Sequence, residues 1–420
     1  MKILRLGICT LVAFGVAAHG GDEEWARAVF ETGAGLLFLF WAVQIFLQRD
    51  AAFPVSIPSL LPPLAAFAVV ILCQILFRTS ASAFNTRAEF QLLLADVLIL
   101  FLAAQAFRTL EDWRFFVWFM MVFGFLVAIF GILQHLTFNG KLYWFRAMRY
   151  GGIPFGPYVN RNHFAGFSEL VIPLSLVPLL LGKVRRERRL LVGVFAVVSI
   201  VALFLSASRG GIISFAVEVA IAVLWVVLRR TGGKQMLAGG AVLAAAMLLV
   251  SWIGVTEILK RFSTMQTMEV STGKRASMRR DTWKIFTDNL WMGTGLGTLQ
   301  IVYPPYETNY DGRVVNHTHN DYLEALAETG LAGGICCAVF LVMLFGHALR
   351  QLSPLNPAFS RVLHLSALIA CLGFLVHSLV DFNLRLPANA LLFFLMAHLA
   401  ASNILQDQNT SPAPRQAGKH

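Results

Sequence analysis

Three groups of residues in this chain carry chemistry that their apolar surroundings do not explain. The first is Asn316-His317-Thr318-His319-Asn320-Asp321, which closes a long polar segment just before residues 322–330, where apolar residues recur at helical spacing. Thr318 or Asn320 can cap that helix, which places His319 where free backbone donors collect. A neutral imidazole at a polar membrane boundary can take a proton from a hydroxyl near neutral pH. Two other readings stand beside this one. The histidines could simply bond loop carbonyls, or His317, His319 and Asp321 could hold zinc, although no further ligand set at metal-like spacing accompanies them.

The second group is the turn Ser206-Ala207-Ser208-Arg209-Gly210-Gly211, which joins two apolar stretches with almost no polar spacer. A guanidinium there is costly unless it finds an anionic partner. It either snorkels to lipid headgroups or clamps a phosphate, whose oxygens match its planar fork. The third group is Lys260, Arg261, Lys274, Arg275, Arg279, Arg280 and Lys284, set against only Glu257, Glu269 and Asp281. A solvated or headgroup-facing surface explains many single members of such a run, but the cluster as a whole points to an anionic ligand. Two shorter polar runs accompany these groups: Asn160-Arg161-Asn162-His163 before one apolar stretch, and His377 to Asn383, with Asp381, after another. Helix ends need polar caps in any case, so these runs gain weight only from lying on the same side of the membrane.

The elements that must position these residues are membrane helices. Of 420 residues 57% are hydrophobic and 14% charged, against about 25% charged in a soluble domain. Apolar blocks lie near 3–19, 28–48, 58–77, 90–107, 114–136, 164–181, 190–206, 211–228, 236–254, 331–349, 362–379 and 388–405. Each approaches the roughly 20 residues needed to cross a hydrocarbon core of about 30 Å, which predicts an all-α polytopic membrane protein of about 12 transmembrane helices. The net charge of +11 comes mainly from short links and two polar loops, and no nucleic-acid-binding motif is present. All five cysteines lie inside apolar stretches, which argues against a disulfide framework. The block after Lys2 and Arg5 resembles a signal peptide, yet no clean small-x-small site precedes Gly20-Gly21-Asp22, so a retained first helix is expected.

Orientation follows from the basic short links. Arg49; Arg108 and Arg114; Lys183, Arg185, Arg186, Arg188 and Arg189; Arg229, Arg230 and Lys234; and Arg350 and Arg361 occupy every second link. That pattern predicts both termini in the cytoplasm and two long loops on the far side, 137–163 and 255–330. The expected organisation is therefore transmembrane helices over 1–254, a large periplasmic loop over 255–330, further transmembrane helices over 331–405, and a disordered cytoplasmic tail over 406–420. The large loop contains a helix-like stretch at 277–290 and the run Tyr303-Pro304-Pro305-Tyr306, so it is expected to form a partly helical, ordered cap.

These residues together resemble the O-antigen ligase and polymerase superfamily of bacterial membrane glycosyltransferases. The resemblance runs from about residue 120 to 400 through Asn160-Arg161-Asn162-His163-Phe164-Ala165-Gly166, Ser208-Arg209-Gly210, Gly293-x-Gly295-x-Gly297, His319-Asn320 with Glu328-x-Gly330, and Asp381-Phe382-Asn383. It implies metal-independent, cofactor-free transfer of a glycan from a polyprenyl (undecaprenyl) diphosphate carrier to a hydroxyl acceptor, at the periplasmic face of the bacterial inner membrane. By the resemblance, Arg209 matches the family's membrane-boundary arginine and His319 its outer-loop histidine. Arg275 holds the position of a second arginine, but Arg279 stands where the family has tryptophan, which leaves Arg275 and Arg280 both open, with Arg275 ranked first. His317, Asn320, Arg279, Asn160, Arg161, Asn162, His163 and Asp381 complete the expected substrate site. A diphosphate leaving group gains charge as the anomeric bond breaks, so preorganised cations favour the transition state.

The acceptor stays open between a lipid A core sugar (a ligase), a growing carrier-linked glycan (a polymerase) and a protein side chain, ranked in that order. From another class, a transporter or flippase for an anionic glycolipid would bury charges near the bilayer midplane on broken helices. Glu31, Asp96, Glu169 and Glu218 are the acids in or near apolar stretches, and the sequence shows no paired arrangement among them. A structural partner of polysaccharide export would depend on no single residue of the three groups.

Overall fold

The computed structural model describes residues 1–47, 55–147, 153–229, 237, 239–252 and 269–405. Arg49, Arg230, Lys234, Lys260, Arg261 and the tail 406–420 therefore lie outside the described residues. The helices in chain order are α1 (Lys2–Ala17), α2 (Glu24–Leu47), α3 (Leu61–Leu76), α4 (Ala83–Ala106), α5 (Leu110–Leu136), α6 (Arg161–Leu180), α7 (Arg186–Leu205) and α8 (Arg209–Leu228). They continue with α9 (Gly239–Trp252), α10 (Glu269–Asp288), α11 (Leu299–Val302), α12 (Asp321–Gln351), α13 (Ala358–His377) and α14 (Pro387–Ala401). The strands among the described residues are a two-residue antiparallel pair, β1 (Lys141–Leu142) and β2 (Arg146–Ala147).

Every apolar stretch of the sequence falls on a helix. Eight of these helices, α2, α4, α5, α6, α7, α8, α12 and α13, are long and apolar enough to cross a membrane. The chain is a polytopic all-α membrane protein. Several helices begin before their apolar stretch because polar caps carry the first turn. The Ser82 hydroxyl accepts from the Asn85 N–H at 3.4 Å, and Thr109 forms a capping box with Asp112, which also pairs with Arg5. Hydropathy does not register such turns, whereas backbone donors at a helix start require them.

Helix α6 is the centre of the bundle. All of its residues from His163 to Leu180 are buried, as expected of a helix apolar on nearly every side, and it packs against α5, α7, α8, α13 and α14. Because successive spans alternate in direction, α1, α3, α5, α7 and α13 end where α2, α4, α6, α8, α12 and α14 begin. The backbone bond from the Ala388 N–H to the Gly20 carbonyl (3.0 Å) fastens two of these termini together. The candidate site lies at this end. The basic links at Arg108, 183–189 and 350–361 lie at the other.

Helix α12 starts ten residues earlier than its apolar stretch and kinks at Gly330, whose φ of 63° and ψ of −162° are not helical. A Cβ there would stand 2.4 Å from the Trp291 carbonyl, so only glycine fits. Before the kink, the Asp321 N–H donates to the Ser378 carbonyl (2.9 Å) and Gln74 donates to the Glu328 carbonyl (2.8 Å). This first part of α12 thus bridges the ends of α13 and α3. Above it α10 buries Met278, Ile285 and Phe286 in a small second core with Leu299, Tyr303, Val315 and Ala327. The helix expected at 277–290 is α10. The Tyr303-Pro304-Pro305-Tyr306 run supplies a 3-10 turn beside it, tied down by Tyr303 donating to Asp281 at 2.9 Å.

Candidate active site

Asp381 is the hub of the site. It follows the last turn of α13, where its N–H donates to the His377 carbonyl at 3.0 Å, and its side chain is 1% exposed. His319 Nδ1 lies 3.2 Å from Asp381 Oδ1, the Asn162 amide donates to Oδ2, and His163 Nε2 stands 4.0 Å away. Burial pushes the carboxyl pKa up, but the His319 bond and the charges of His163, His319 and His377 outweigh it and hold the group well below the usual carboxylate range. An ionised Asp381 only accepts, so it fixes the proton of His319 on Nδ1 and leaves the Nε2 lone pair free to act as a base.

The local sequence explains how His319 reaches this position. Its φ of 52° is left-handed, which costs a non-glycine residue about 1–2 kcal/mol. Asn320 locks the turn in place: its Oδ1 caps the Leu323 N–H at 2.9 Å, and its Nδ2 donates to the Leu379 carbonyl at 3.0 Å. Asn320, rather than Thr318, is thus the cap of α12. On the facing wall Asn160 caps α6 by accepting from the Asn162 N–H at 3.0 Å, and the Arg161 N–H donates to the Ile153 carbonyl at 2.9 Å.

A second cluster flanks the hub. His317 Nδ1 is 2.8 Å from Glu324 Oε1, and its ring stacks on Phe382 at 4.2 Å. Arg385 Nε reaches Glu324 at 3.1 Å, and the same guanidinium pairs with Glu328. Glu324 also accepts from the Thr318 N–H at 3.0 Å, and Glu328 from the Leu299 N–H at 3.0 Å. Burial lowers the His317 pKa, but the Glu324 carboxylate more than offsets it and raises the pKa overall. Because the folded value is raised, the stability this pair contributes is full below about pH 6.5 and fades as pH rises through the folded value. In Glu324→Gln, burial and the Arg385 charge lower the His317 pKa and only the weaker pull of the Glu328 charge opposes them. We expect histidine NMR, with His317→Gln to identify the signal, to show His317 titrating above its ordinary value in the parent and below it in the variant. An unmoved titration would refute the pairing.

Glu324 and Arg385 did not stand out in the sequence, and Glu328 stood there only as part of the Glu328-x-Gly330 motif, without a role in the site. The available signal was spacing: Asp321, Glu324 and Glu328 fall at i, i+3 and i+7 on one helix face. The zinc reading does not fit the geometry. His317 turns to Glu324, His319 to Asp381, and Asp321 accepts from the Leu384 N–H at 3.1 Å. Among the described residues no three histidine, cysteine or acidic side chains converge as metal ligands.

Arg209 is the first residue of α8. Ala207, at φ 50°, makes the turn before it, and the Ser208 hydroxyl caps it by accepting from the Gly211 N–H at 3.2 Å. Gly210 lies against His377 and Val380, so the turn bearing Arg209 sits on the stretch of chain that leads into Asp381. The cationic loop is placed differently. Arg279 and Arg280 are exposed on α10 and Arg275 is half-buried, with Arg279 Nε donating to the Arg275 carbonyl at 3.3 Å. Among the described residues no hydrogen bond or ion pair joins these three to His319 or Asp381. The structure thus brings His319, Asp381, Asn162 and His163 together, sets His317 and Asn320 beside them, and packs the Arg209 turn against the same helix end. Of the four acids in or near apolar stretches, Glu169 faces a histidine: its Oε1 lies 2.9 Å from Nδ1 of the buried His377.

Residues 194–338 match a family model described as O-Antigen ligase. The matched stretch contains Arg209, the arginines of α10, His317, His319 and Asn320, while Asn162 and Asp381 lie outside it. No curated protein matches the chain.

Proposed function

We propose, from the match of residues 194–338 to a family model described as O-Antigen ligase, that this chain transfers a glycan from a polyprenyl diphosphate carrier to a hydroxyl acceptor at the periplasmic face of the inner membrane. The observation that carries this reading is His319 Nδ1 at 3.2 Å from the buried Asp381 carboxylate. This arrangement makes Nε2 a base and fixes its ring.

In the proposed reaction the acceptor hydroxyl gives its proton to His319 Nε2 while its oxygen attacks the anomeric carbon. The bond from that carbon to the diphosphate oxygen breaks, its electron pair leaves with the diphosphate, and the anomeric configuration inverts. Arg209 stands at a helix start, where backbone donors and the helix dipole also favour an anion, and it stabilises the charge developing on the leaving group. Arg275, with Arg280 in support, is the second diphosphate ligand of this proposal. His317, Asn320, Arg279, Asn160, Arg161, Asn162 and His163 shape the surrounding substrate site. The donor is an undecaprenyl-diphosphate-linked glycan, and a lipid A core sugar is the acceptor ranked first.

The purified protein, mixed with carrier-linked glycan and either lipid A core or carrier-linked acceptor, tests this reading through release of carrier diphosphate. Transfer to lipid A core makes it a ligase, and transfer only to carrier-linked glycan makes it a polymerase. We expect the rate to be unchanged in excess EDTA. Loss of activity that added zinc restores would contradict the metal-independent mechanism.

A further inference from the structure

We infer that the buried Glu169–His377 pair is a positioning device that sets where the Ser208-Arg209-Gly210 turn, and with it the Arg209 guanidinium, stands relative to Asp381. The inference rests on the transfer reaction proposed above. Glu169 on α6 is 0% exposed and His377 on α13 is 1% exposed, and they face each other at 2.9 Å inside the helix bundle. Two ionisable groups removed from water carry a desolvation cost, several kcal/mol each when charged, and a well-packed apolar pair often serves stability as well or better. An ionisable pair within a membrane bundle therefore calls for a functional reason.

The two glycines of the turn supply one. A Cβ on Gly210 would stand 2.6 Å from both Cδ2 and Nε2 of His377, and a Cβ on Gly211 would stand 3.3 Å from Glu169 Oε1. The start of α8 thus packs against both members of the pair, Gly210 on the imidazole and Gly211 on Ala165 with the Glu169 carboxylate beside it. The same imidazole belongs to the last turn of α13, whose His377 carbonyl accepts from the N–H groups of Val380 (2.9 Å) and Asp381 (3.0 Å). His377 therefore touches the arginine turn through its ring and holds Asp381 through its backbone. A line of buried polar side chains continues along α8. Ser214 and Glu218 follow Gly211 on one face at i+3 and i+7, both buried, and Glu218 lies against Gly373 of α13. Such a seam sets the rotation of α8 about its own axis, and rotation decides where Arg209 stands.

Arg209 must meet charge that develops only as the diphosphate leaves, so a displacement of about 1 Å is expected to cost about 100-fold in rate. The experiment is a double-mutant cycle on full-length protein in detergent, reading kcat and KM for glycan transfer. Gly210→Ala, His377→Ala and Glu169→Gln should each lower kcat by about 100-fold, with KM for the acceptor unchanged and the melting temperature showing that the fold persists. In the His377→Ala background the imidazole no longer blocks the added methyl of Gly210→Ala, and the Val380 methyl 3.0 Å from it need give by only a few tenths of an ångström, so the double variant should be little slower than His377→Ala alone. A merely structural role predicts additive losses. Additive losses, or full rate in Glu169→Gln, would overturn the positioning role while parent transfer still supports the reaction. A parent protein that transfers nothing overturns the reaction and the positioning role together.

Discussion

His319→Ala should lower glycan transfer by about 10²–10⁴-fold, the usual contribution of a positioned base, and leave the fold intact. The side chain is about a quarter exposed and bonds chiefly Asp381. The backbone of the turn is held by Asn320 and by the Asp321 N–H bond to Ser378, neither of which needs the imidazole. Alanine would lose the base and keep the left-handed backbone, with its cost of about 1–2 kcal/mol. The check is a turnover assay beside a melting curve in the same detergent. Unchanged turnover by the variant would remove His319 from the mechanism. So would an equal loss of turnover and folded protein, since the residue would then be a structural one.

Arg209→Ala should lower kcat by about 10²–10³-fold, the scale of one preorganised donor aimed at developing charge, with a much smaller change in KM. The prediction follows from its place at the start of α8, where Ser208 caps the helix and Gly210 is packed against His377. Removing the guanidinium disturbs neither contact. Arg209→Lys should restore only part of the rate, because an ammonium cannot present the planar fork that matches two phosphate oxygens. Steady-state kinetics with varied donor separate the outcomes. A rise in KM at constant kcat would make Arg209 a ground-state ligand only, and full activity in Arg209→Ala would remove it from the site.

Much of this architecture was legible in the sequence because a membrane span is a one-dimensional signal. Apolar runs and basic links locate helices without any knowledge of their partners. Helix starts were read less well, as at α4 and α5, because a cap such as Ser82 or Thr109 is polar and lies outside the apolar run. The kink of α12 escaped for a related reason. Gly330 marks it, but the need for glycine there comes from the Trp291 backbone, which only the folded chain brings near. In the candidate site, His319 and Asp381 were each visible as polar residues in apolar surroundings. Their bond across 62 residues was not visible. Nor was the partner of Glu169, which lies on another helix and more than 200 residues away at His377. Arg385 was hidden by its ordinary setting after a polar run. Its role as the counter-charge of Glu324 and Glu328 emerges only when α12 and the 381–386 connection meet.

The most direct test of the transfer reaction follows both products at once in the reconstituted parent protein, supplied with a carrier-linked glycan of known anomeric configuration and a hydroxyl acceptor. One carrier diphosphate released per glycosidic bond formed, with inverted configuration in the new linkage, is the predicted result. Retention of configuration, or movement of the glycolipid across the bilayer with no bond formed, would contradict it.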